Sequence, residues 1–460
     1  MDLSARIEKR LARVAVMGLG YVGLPLAAAL AEAGFHTVGL DIDSRRVSSL
    51  QKGKSHIGDV PSEQVASLVQ SGLLRATGDM GELGAVDVII ICVPSPLQHN
   101  KAPDLSLMIA AAWQISGHLK KGQLVILQST TYPGTTEEDI LPILEKSGLK
   151  AGVDFHLAFS PERINPGDRQ HNVSNTPKVV GGLTPACGEL ARSLLASIHP
   201  QVHMVSSPRA AEMTKLLENT FRAVNIALVN EMAMLCERMG MDVWEVIAAA
   251  STKPFGYMPF YPGPGVGGHC IPVDPFFLLW KAREYDFHTK FIELAAEINE
   301  GMPYHTASKV AEALNSRGKS VRGSRVLVLG VTYKADVEDT RNTPATRVIE
   351  LLLGMGADVV YCDPYVASLS LGGDGFINKK YVLNSVAPTD DHLASADCLV
   401  VMTPHSLYDL ESIVSRSTLV VDTCNATSAI DASSARVFRL GVGNCLPSGR
   451  NLTGQAPAGG

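Results

Sequence analysis

The run Val14-Ala15-Val16-Met17-Gly18-Leu19-Gly20-Tyr21-Val22-Gly23 constrains the fold of this chain more than any other. A short apolar strand feeds directly into a G-x-G-x-x-G turn. A helix of small residues follows from Leu24 to Ala33, Gly34 stops it, and Thr37-Val38-Gly39-Leu40 reads as the next strand, with Asp41 at its end. The glycine pattern alone says little. With strand, helix, second strand and terminal acid all in place, it predicts a βαβ unit of the dinucleotide-binding type. In such a unit Gly18 makes the tight turn and Gly20 lets backbone N–H groups approach a pyrophosphate. Gly23 lets the helix pack on the strand, and the helix N-terminus adds favourable partial charge. Leu19, Tyr21 and Val22 complete the cofactor turn. Asp41 is placed to hold ribose hydroxyls, which favours NAD over NADP because a carboxylate repels a 2′-phosphate.

Further strands are predicted at Val86–Val93, Leu124–Gln128 and His156–Phe159, each ending in a loop rich in Pro, Ser, Thr or Gly. In a parallel sheet such loops lie at the carboxyl edge, where ligands bind. From about Pro208 to Ala250 the pattern changes. Ala210, Met213, Leu216, Leu217, Thr220, Val224, Ile226, Val229, Met232 and Leu235 recur near helical spacing, which predicts one long, largely buried helix with apolar residues to spare for a dimer surface. A second α/β unit begins near Ser324. It has strands at Val326–Gly330, Ala357–Asp363, Asp397–Met402 and Thr418–Asp422 and a helix at Pro344–Met355, but no G-x-G-x-x-G after its first strand. The expected architecture is α/β, with two Rossmann-like parallel-sheet domains joined by a long central helix. The boundaries read as 1–207 for an N-terminal NAD-binding domain and 208–318 for a central helical region. A C-terminal Rossmann-like domain follows at 319–446, then a disordered tail at 447–460.

Composition narrows the class. The 460 residues are 46% hydrophobic and 19% charged with a net charge of −6, which suits globular domains with large cores and gives no basic surface for nucleic acid. Eight scattered cysteines form no C-x-x-C pair and no Cys/His cluster of zinc spacing, so no metal site is expected and the thiols read as free. Glu8, Lys9 and Arg10 interrupt any signal-like apolar run, and no apolar run reaches the length of a membrane span. A cytoplasmic location is the expectation.

Gly263-Pro264-Gly265-Val266-Gly267-Gly268-His269-Cys270 sets a cysteine at the end of a glycine-rich turn, with Asp274 four residues on. Such a turn can present a nucleophile, or it can simply end in a packed thiol. Other motifs point the same way as the nucleophile. They are Val93-Pro94-Ser95-Pro96, Ser129-Thr130, Ser160-Pro161-Glu162, Lys215-x-x-x-Asn219, and Tyr333-Lys334 through Asp339-Thr340-Arg341. In this order and spacing the chain resembles the UDP-glucose/GDP-mannose dehydrogenase family over nearly its whole length. Pro103–Ser106, Ser160–Gly167 and Pro262–Gly265 are most similar to the UDP-N-acetylhexosamine branch, in particular the UDP-N-acetylglucosamine 6-dehydrogenases of polysaccharide pathways. Pro-Ser-Pro stands where the family usually has Pro-Thr-Pro, and Tyr333 where most members have Phe.

The resemblance implies oxidation of a C6 hydroxyl to a carboxylate with two NAD, through a Cys270 thiohemiacetal and thioester. It implies that Lys215 and Asn219, which share a helix face, stabilise the alkoxide and oxyanion. Asp274 would orient Lys215 or a water, Glu162 would be the base for thioester hydrolysis, and Thr130 would hold a water beside the reacting carbon. Blander readings exist: a solvated lysine, a turn carboxylate before Pro275, a surface Glu162 paired with Arg163, and a Thr130 helix cap. By the same resemblance Arg46, Val93, Pro94, Ser95, Thr130 and Arg341 join the glycine turn in holding NAD. Glu162, Arg163, Asn165, Lys215, Asn219, Tyr261, Gly265, Gly267, Gly268, Tyr333 and Lys334 would contact the UDP-sugar. A homodimer or higher homo-oligomer is expected. UDP-glucose, UDP-ManNAc and UDP-GalNAc remain open as substrates beside UDP-GlcNAc. The rivals outside the family are a one-step hydroxyacid dehydrogenase and a non-catalytic NAD-binding protein. The count of NADH formed per substrate separates them: two, one or none.

Overall fold

The computed structural model describes residues 1–163, 175–372, 379–430 and 436–443. Asn165 and the tail from 447 lie outside the described residues. The chain forms two compact units. The first comprises Met1–Phe221 and Val273–Lys290, the second Arg222–Pro272 and Phe291–Gly460.

The first unit is built on one eight-stranded sheet. Its strands are β1 (Arg13–Met17), β2 (His36–Leu40), β3 (Leu74–Thr77), β4 (Val88–Ile91), β5 (Leu124–Leu127), β6 (His156–Phe159), β7 (Lys178–Gly182) and β8 (Val202–Val205), in the order β3-β2-β1-β4-β5-β6-β7-β8. Every pairing is parallel except β6 with β7. The central strands are apolar at nearly every position because both faces are covered, as doubly wound sheets require. Val88, Ile90, Leu124 and Ile126 point into one core, and Ile89, Ile91, Val125 and Leu127 into the other. The sheet order reverses between β1 and β4. Residues following the carboxyl ends of these strands therefore converge at a topological switch point. Helix α1 (Gly23–Glu32) runs from the end of β1, and its buried Ala27, Ala28 and Ala31 let it lie close to the sheet.

The second unit contains a parallel sheet of β9 (Arg325–Leu329), β10 (Asp358–Cys362), β13 (Cys398–Val401), β14 (Val420–Asp422) and β15 (Val437–Arg439), in the order β10-β9-β13-β14-β15. A separate antiparallel hairpin joins β11 (Ser368–Leu371) to β12 (Tyr381–Asn384). Both units are thus α/β, as the βαβ patterns predict. The antiparallel β7 and the hairpin are additions that the patterns do not reveal.

The long helix differs from expectation in two ways. It runs as α2 (Pro208–Met239) and stops there, because Gly240 takes φ +71, a left-handed value that ends helices. A second helix, α3 (Val243–Ala250), starts afresh with Asp242 capping the Trp244 amide. Nor is α2 largely buried. Leu216, Ala223, Ala227, Val229 and Ala233 are buried, but Met213, Leu217, Phe221, Leu228, Met232, Leu235 and Met239 are exposed, Leu217 by 64%. Their spacings of three, four and seven place them in one stripe along the helix. Among the described residues no helix is long and apolar enough to cross a membrane.

Candidate active site

The glycine turn after β1 shows three different constraints at its three glycines. Gly18 has φ +89, and a Cβ there would sit 2.8 Å from the Cys92 carbonyl oxygen. At Gly23 a Cβ would fall 1.8 Å from the Gly18 oxygen, so only glycine lets the helix start this close to the strand. At Gly20 a Cβ would meet nothing within 4 Å. The open side of the turn is therefore at Gly20, beside the N-terminus of α1, where a pyrophosphate fits. Tyr21 is exposed and Val22 half-buried. Asp41 is buried, and its Oδ2 accepts the Leu19 amide at 2.8 Å while Oδ1 accepts the Asp43 amide at 2.8 Å. The half-exposed Arg46 guanidinium lies 3.5 Å from Asp41 Oδ2. His56 Nε2 meets the Leu19 carbonyl at 2.8 Å, bracing the turn from the other side. These residues fit a dinucleotide.

Val93, Pro94 and Ser95 leave β4 beside the β5 loop, where Ser129 Oγ donates to the Val93 carbonyl at 2.7 Å. Thr130 is half-buried in that loop. The loop is held by a residue on α2 that sequence reasoning missed. Glu212 is fully buried, and it accepts the Gly134 amide (2.6 Å), the Thr136 amide (2.9 Å) and the Thr136 hydroxyl (2.6 Å). Burial lifts its carboxyl above the ordinary range, and these hydrogen bonds pull back against that. Helix α4 (Asp274–Ala282) grips the same loop, with Trp280 packed on the Tyr132 ring at 4.9 Å and Lys281 bonded to Glu138 at 2.6 Å.

Lys215 and Asn219 lie on the same buried face of α2 as Glu212, one and two turns further along. Neither is solvated. Asn219 Nδ2 donates to Asp274 Oδ2 at 2.5 Å, so part of the amide expected to serve an oxyanion is committed to that carboxylate. Asp274, at the start of α4, is buried. Burial pushes its carboxyl up to about 6, opposed by the Lys215 charge and the Asn219 hydrogen bond. The first unit thus holds a buried ammonium, amide and carboxylate together.

Glu162, after β6, is not the surface partner of Arg163. Arg163 pairs with Glu218 at 2.7 Å. Glu162 Oε2 accepts from Lys178 Nζ at 3.0 Å and from Gln128 Nε2 at 2.6 Å, and Oε1 accepts the Arg163 amide at 2.8 Å. Lys178 is 1% exposed, so this is a buried ion pair. Lys178 comes from the antiparallel β7, and with that strand unpredicted, nothing in the sequence marked the lysine.

In the second unit the turn before Cys270 is packed tightly by its own chain. Gly265 has φ +134 and lies against Pro344 and Pro303. A Cβ at Gly267 would come within 2.5 Å of Tyr333 Cβ, and one at Gly268 (φ +86) within 3.1 Å of the Tyr333 ring. The glycines therefore make room for the 333–344 loop. Upstream, Asn230 Oδ1 accepts the Gly263 amide at 3.0 Å, and its Nδ2 donates to Asn299 Oδ1 at 2.9 Å. Cys270 is half-buried, and its Sγ lies 3.0 Å from Nδ1 of the adjacent His269. Lys334 is half-buried and Arg341 is exposed, and the Arg341 guanidinium pairs with Asp339 at 2.6 Å. Tyr261 is 59% exposed and stacks on Trp244 at 6.0 Å. The seven described cysteines are all free thiols.

Three models of one family match the chain in succession. They are the UDP-glucose/GDP-mannose dehydrogenase family NAD binding domain at residues 12–199, its central domain at 209–301 and its UDP binding domain at 327–429. A UDP-N-acetyl-D-glucosamine 6-dehydrogenase of Pseudomonas aeruginosa is 42% identical over 358 residues, 77% of this chain and 83% of its own length. A UDP-N-acetyl-D-mannosamine dehydrogenase of Pyrococcus horikoshii is 39% identical over 77% of this chain and 84% of its own length. Among solved structures, a UDP-D-ManNAc dehydrogenase from Pyrococcus horikoshii superposes with a TM-score of 0.84 at 34% identity. That match covers 94% of this chain and all of the other.

The Glu212 geometry yields a prediction. Glutamine has the same shape but one acceptor, so its amide would face the Gly134 N–H donor to donor. Glu212→Gln should lower unfolding stability by about 1–3 kcal/mol, the cost of one buried unpaired donor. A urea midpoint equal to that of the parent protein would contradict this account.

Proposed function

Because this chain belongs to the UDP-glucose/GDP-mannose dehydrogenase family, whose NAD-binding domain it carries, we propose that it oxidises C6 of a UDP-N-acetylhexosamine, UDP-N-acetylglucosamine first, to the uronic acid. The buried Lys215–Asn219–Asp274 group is the observation that carries the reading. Burying an ammonium and a carboxylate costs desolvation energy, and buried ionisable groups of perturbed pKa cluster at functional sites. The acid of this group lies four residues after Cys270 in the chain. The N-acetylglucosamine part rests on the Pseudomonas relative. The Pyrococcus horikoshii relative, matched in sequence and in structure, supports UDP-N-acetylmannosamine as the second reading.

NAD, when bound, accepts the hydride of each oxidation. Gly18–Gly23 and Asp41 would hold its pyrophosphate and ribose, with Arg46, Val93, Pro94, Ser95, Thr130 and Arg341 around it. Lys215 stabilises the alkoxide and, later, the oxyanion of the adduct, because a fixed cation in a dry site needs no reorganisation as charge develops. Asp274, once ionised, holds Asn219 by its hydrogen bond and balances the Lys215 charge. Cys270 Sγ adds to the aldehyde, which keeps it on the enzyme until the thioester forms. Glu162, fixed by Lys178 and Gln128, takes the proton of the hydrolytic water, and Thr130 holds that water. Asn165, Arg163, Tyr261, Tyr333 and Lys334 complete the sugar-nucleotide contacts in this proposal. It also includes a central region at 208–318 between an NAD-binding region at 1–207 and a UDP-binding region at 319–446. The exposed stripe on α2 supports a homodimer, since burying it between two copies removes large apolar side chains from water.

Four measurements test this. Incubated with NAD, UDP-GlcNAc should yield two NADH per sugar and be used one to two orders of magnitude more efficiently than UDP-glucose. An acetamido pocket left unpaired costs about 1–3 kcal/mol per buried group. Cys270→Ser should abolish formation of the acid, and full turnover in that variant would remove the covalent route. Activity should fall as pH drops through about 6, because Asp274 then takes up a proton and no longer offsets the Lys215 charge. Asp274→Asn should lose both that limb and most of kcat, and an unchanged limb would assign it elsewhere. Light scattering should give a dimer at micromolar concentration, and Leu217→Glu should weaken it. A monomeric parent protein would refute the stripe as an interface.

A further inference from the structure

His269 immediately precedes the proposed nucleophile, and its Nδ1 lies 3.0 Å from Cys270 Sγ. That is hydrogen-bond distance for a nitrogen–sulfur pair. The residue before the ring is pinned by both of its backbone polar groups. The Gly268 amide donates to the Arg341 carbonyl at 3.0 Å, and the Gly268 carbonyl accepts from Asn342 Nδ2 at 2.9 Å. Gly268 itself is left-handed and seated against the Tyr333 ring, which fixes the backbone just before His269. Charged groups nearby, among the described residues, include Asp339 and Arg341. Asp339 is partly buried, which raises its carboxyl, yet the Arg341 hydrogen bonds and the Arg341 and His269 charges together hold it below the ordinary range. The ring thus meets the thiol and lies within electrostatic reach of Asp339.

We propose that His269 is a catalytic residue, the acceptor and later the donor of the Cys270 thiol proton. The inference rests on the reading of Cys270 as the nucleophile and adds to it the group that activates the sulfur. An ordinary thiol is only a few per cent ionised at pH 7, and the thiolate is the reactive form. As Sγ bonds to the aldehyde carbon, the carbonyl π pair moves to oxygen, the S–H bond breaks and its proton goes to His269 Nδ1. After the adduct has been oxidised to the thioester, water attacks the same carbon. The C–S bond then breaks, its electron pair returns to sulfur, and the proton on Nδ1 goes back to the thiolate. Sulfur and imidazole both end as they began. Nδ1 suits this role because it is the ring nitrogen that already meets the sulfur in the resting protein.

The test needs no substrate. The rate of Cys270 alkylation by iodoacetamide, followed by peptide mass spectrometry from pH 5.5 to 9.5, reads the thiolate directly. The parent protein should react at pH 7 at least tenfold faster than His269→Ala, whose profile should move to that of an ordinary thiol near 8.5. His269→Asn keeps a hydrogen-bonding atom near the Nδ1 position but cannot take a proton. It should follow the alanine variant, which separates proton transfer from mere packing. Coincident profiles for the parent protein and both folded variants would overturn the proposal. Turnover of Cys270→Ser distinguishes the two levels. If that variant still makes the acid, the nucleophile reading fails. If it is dead while His269→Ala alkylates like the parent protein, only the role of His269 fails.

Discussion

The first unit depends on a helix that buries polar groups beside its apolar ones. On α2, Glu212, Lys215 and Asn219 face inward, and Leu217 and Phe221 face out. Each buried polar group must therefore find a partner on another element, or cost about 1–3 kcal/mol or more. Glu212 finds the 134–136 loop, and Asn219 finds Asp274. Satisfying them fixes the β5 loop and the start of α4 relative to one helix. Preorganisation is thus a by-product of burial: the proposed catalytic groups could not stay buried unless the frame were complete.

The sequence revealed local constraints and not distant ones. The βαβ unit was legible because its glycines, strand and acid lie within about thirty residues and each has a steric reason to be there. The Cys270 turn was legible for the same reason, though what its glycines admit is Tyr333 and Pro344 of the same chain. Lys178, Glu212 and Gln128 were not legible. The Gly134 and Thr136 amides that Glu212 accepts lie 78 and 76 residues away, and no periodicity marks a residue for such a partner. The length of α2 was misread because apolar spacing continues through Val243–Ala250, while the break depends on one glycine's φ. Its burial was misread because periodicity counts apolar faces but does not say which of them the fold leaves open. His269 stood in view beside Cys270, but the direction of its ring is a matter of conformation.

The two Rossmann-like halves repeat one device. In the first, the amide after Gly18 binds the acid that ends β2. In the second, the amide after Gly330 (φ +82) binds Asp363, which follows β10, at 2.7 Å. Tyr365 then plays the part of Asp43, its amide on the other Asp363 oxygen at 2.8 Å. The halves differ in what else reaches the acid. Asp41 meets the half-exposed Arg46. Asp363 is sealed by the buried His405, whose Nε2 lies 3.0 Å away while its Nδ1 accepts the Asp336 amide at 2.9 Å. The same strand-turn geometry thus leaves one acid beside a half-exposed arginine and makes the other an internal brace for the Thr332–Asp336 turn.

The first unit is discontinuous in the chain, and this sets an order of manufacture. Phe277 of α4 is fully buried in the same core as Ala211 and Leu216, and Asp274 is the partner of Asn219. A nascent chain that has emerged only as far as Phe221 has its whole eight-stranded sheet but lacks that plug, and Asn219 waits without its acid. Residues 222–272 must leave the ribosome before α4 can arrive. The cofactor fold is therefore completed only after the thiol has been made, and a ribosome that stalls in between releases a sheet with an open core.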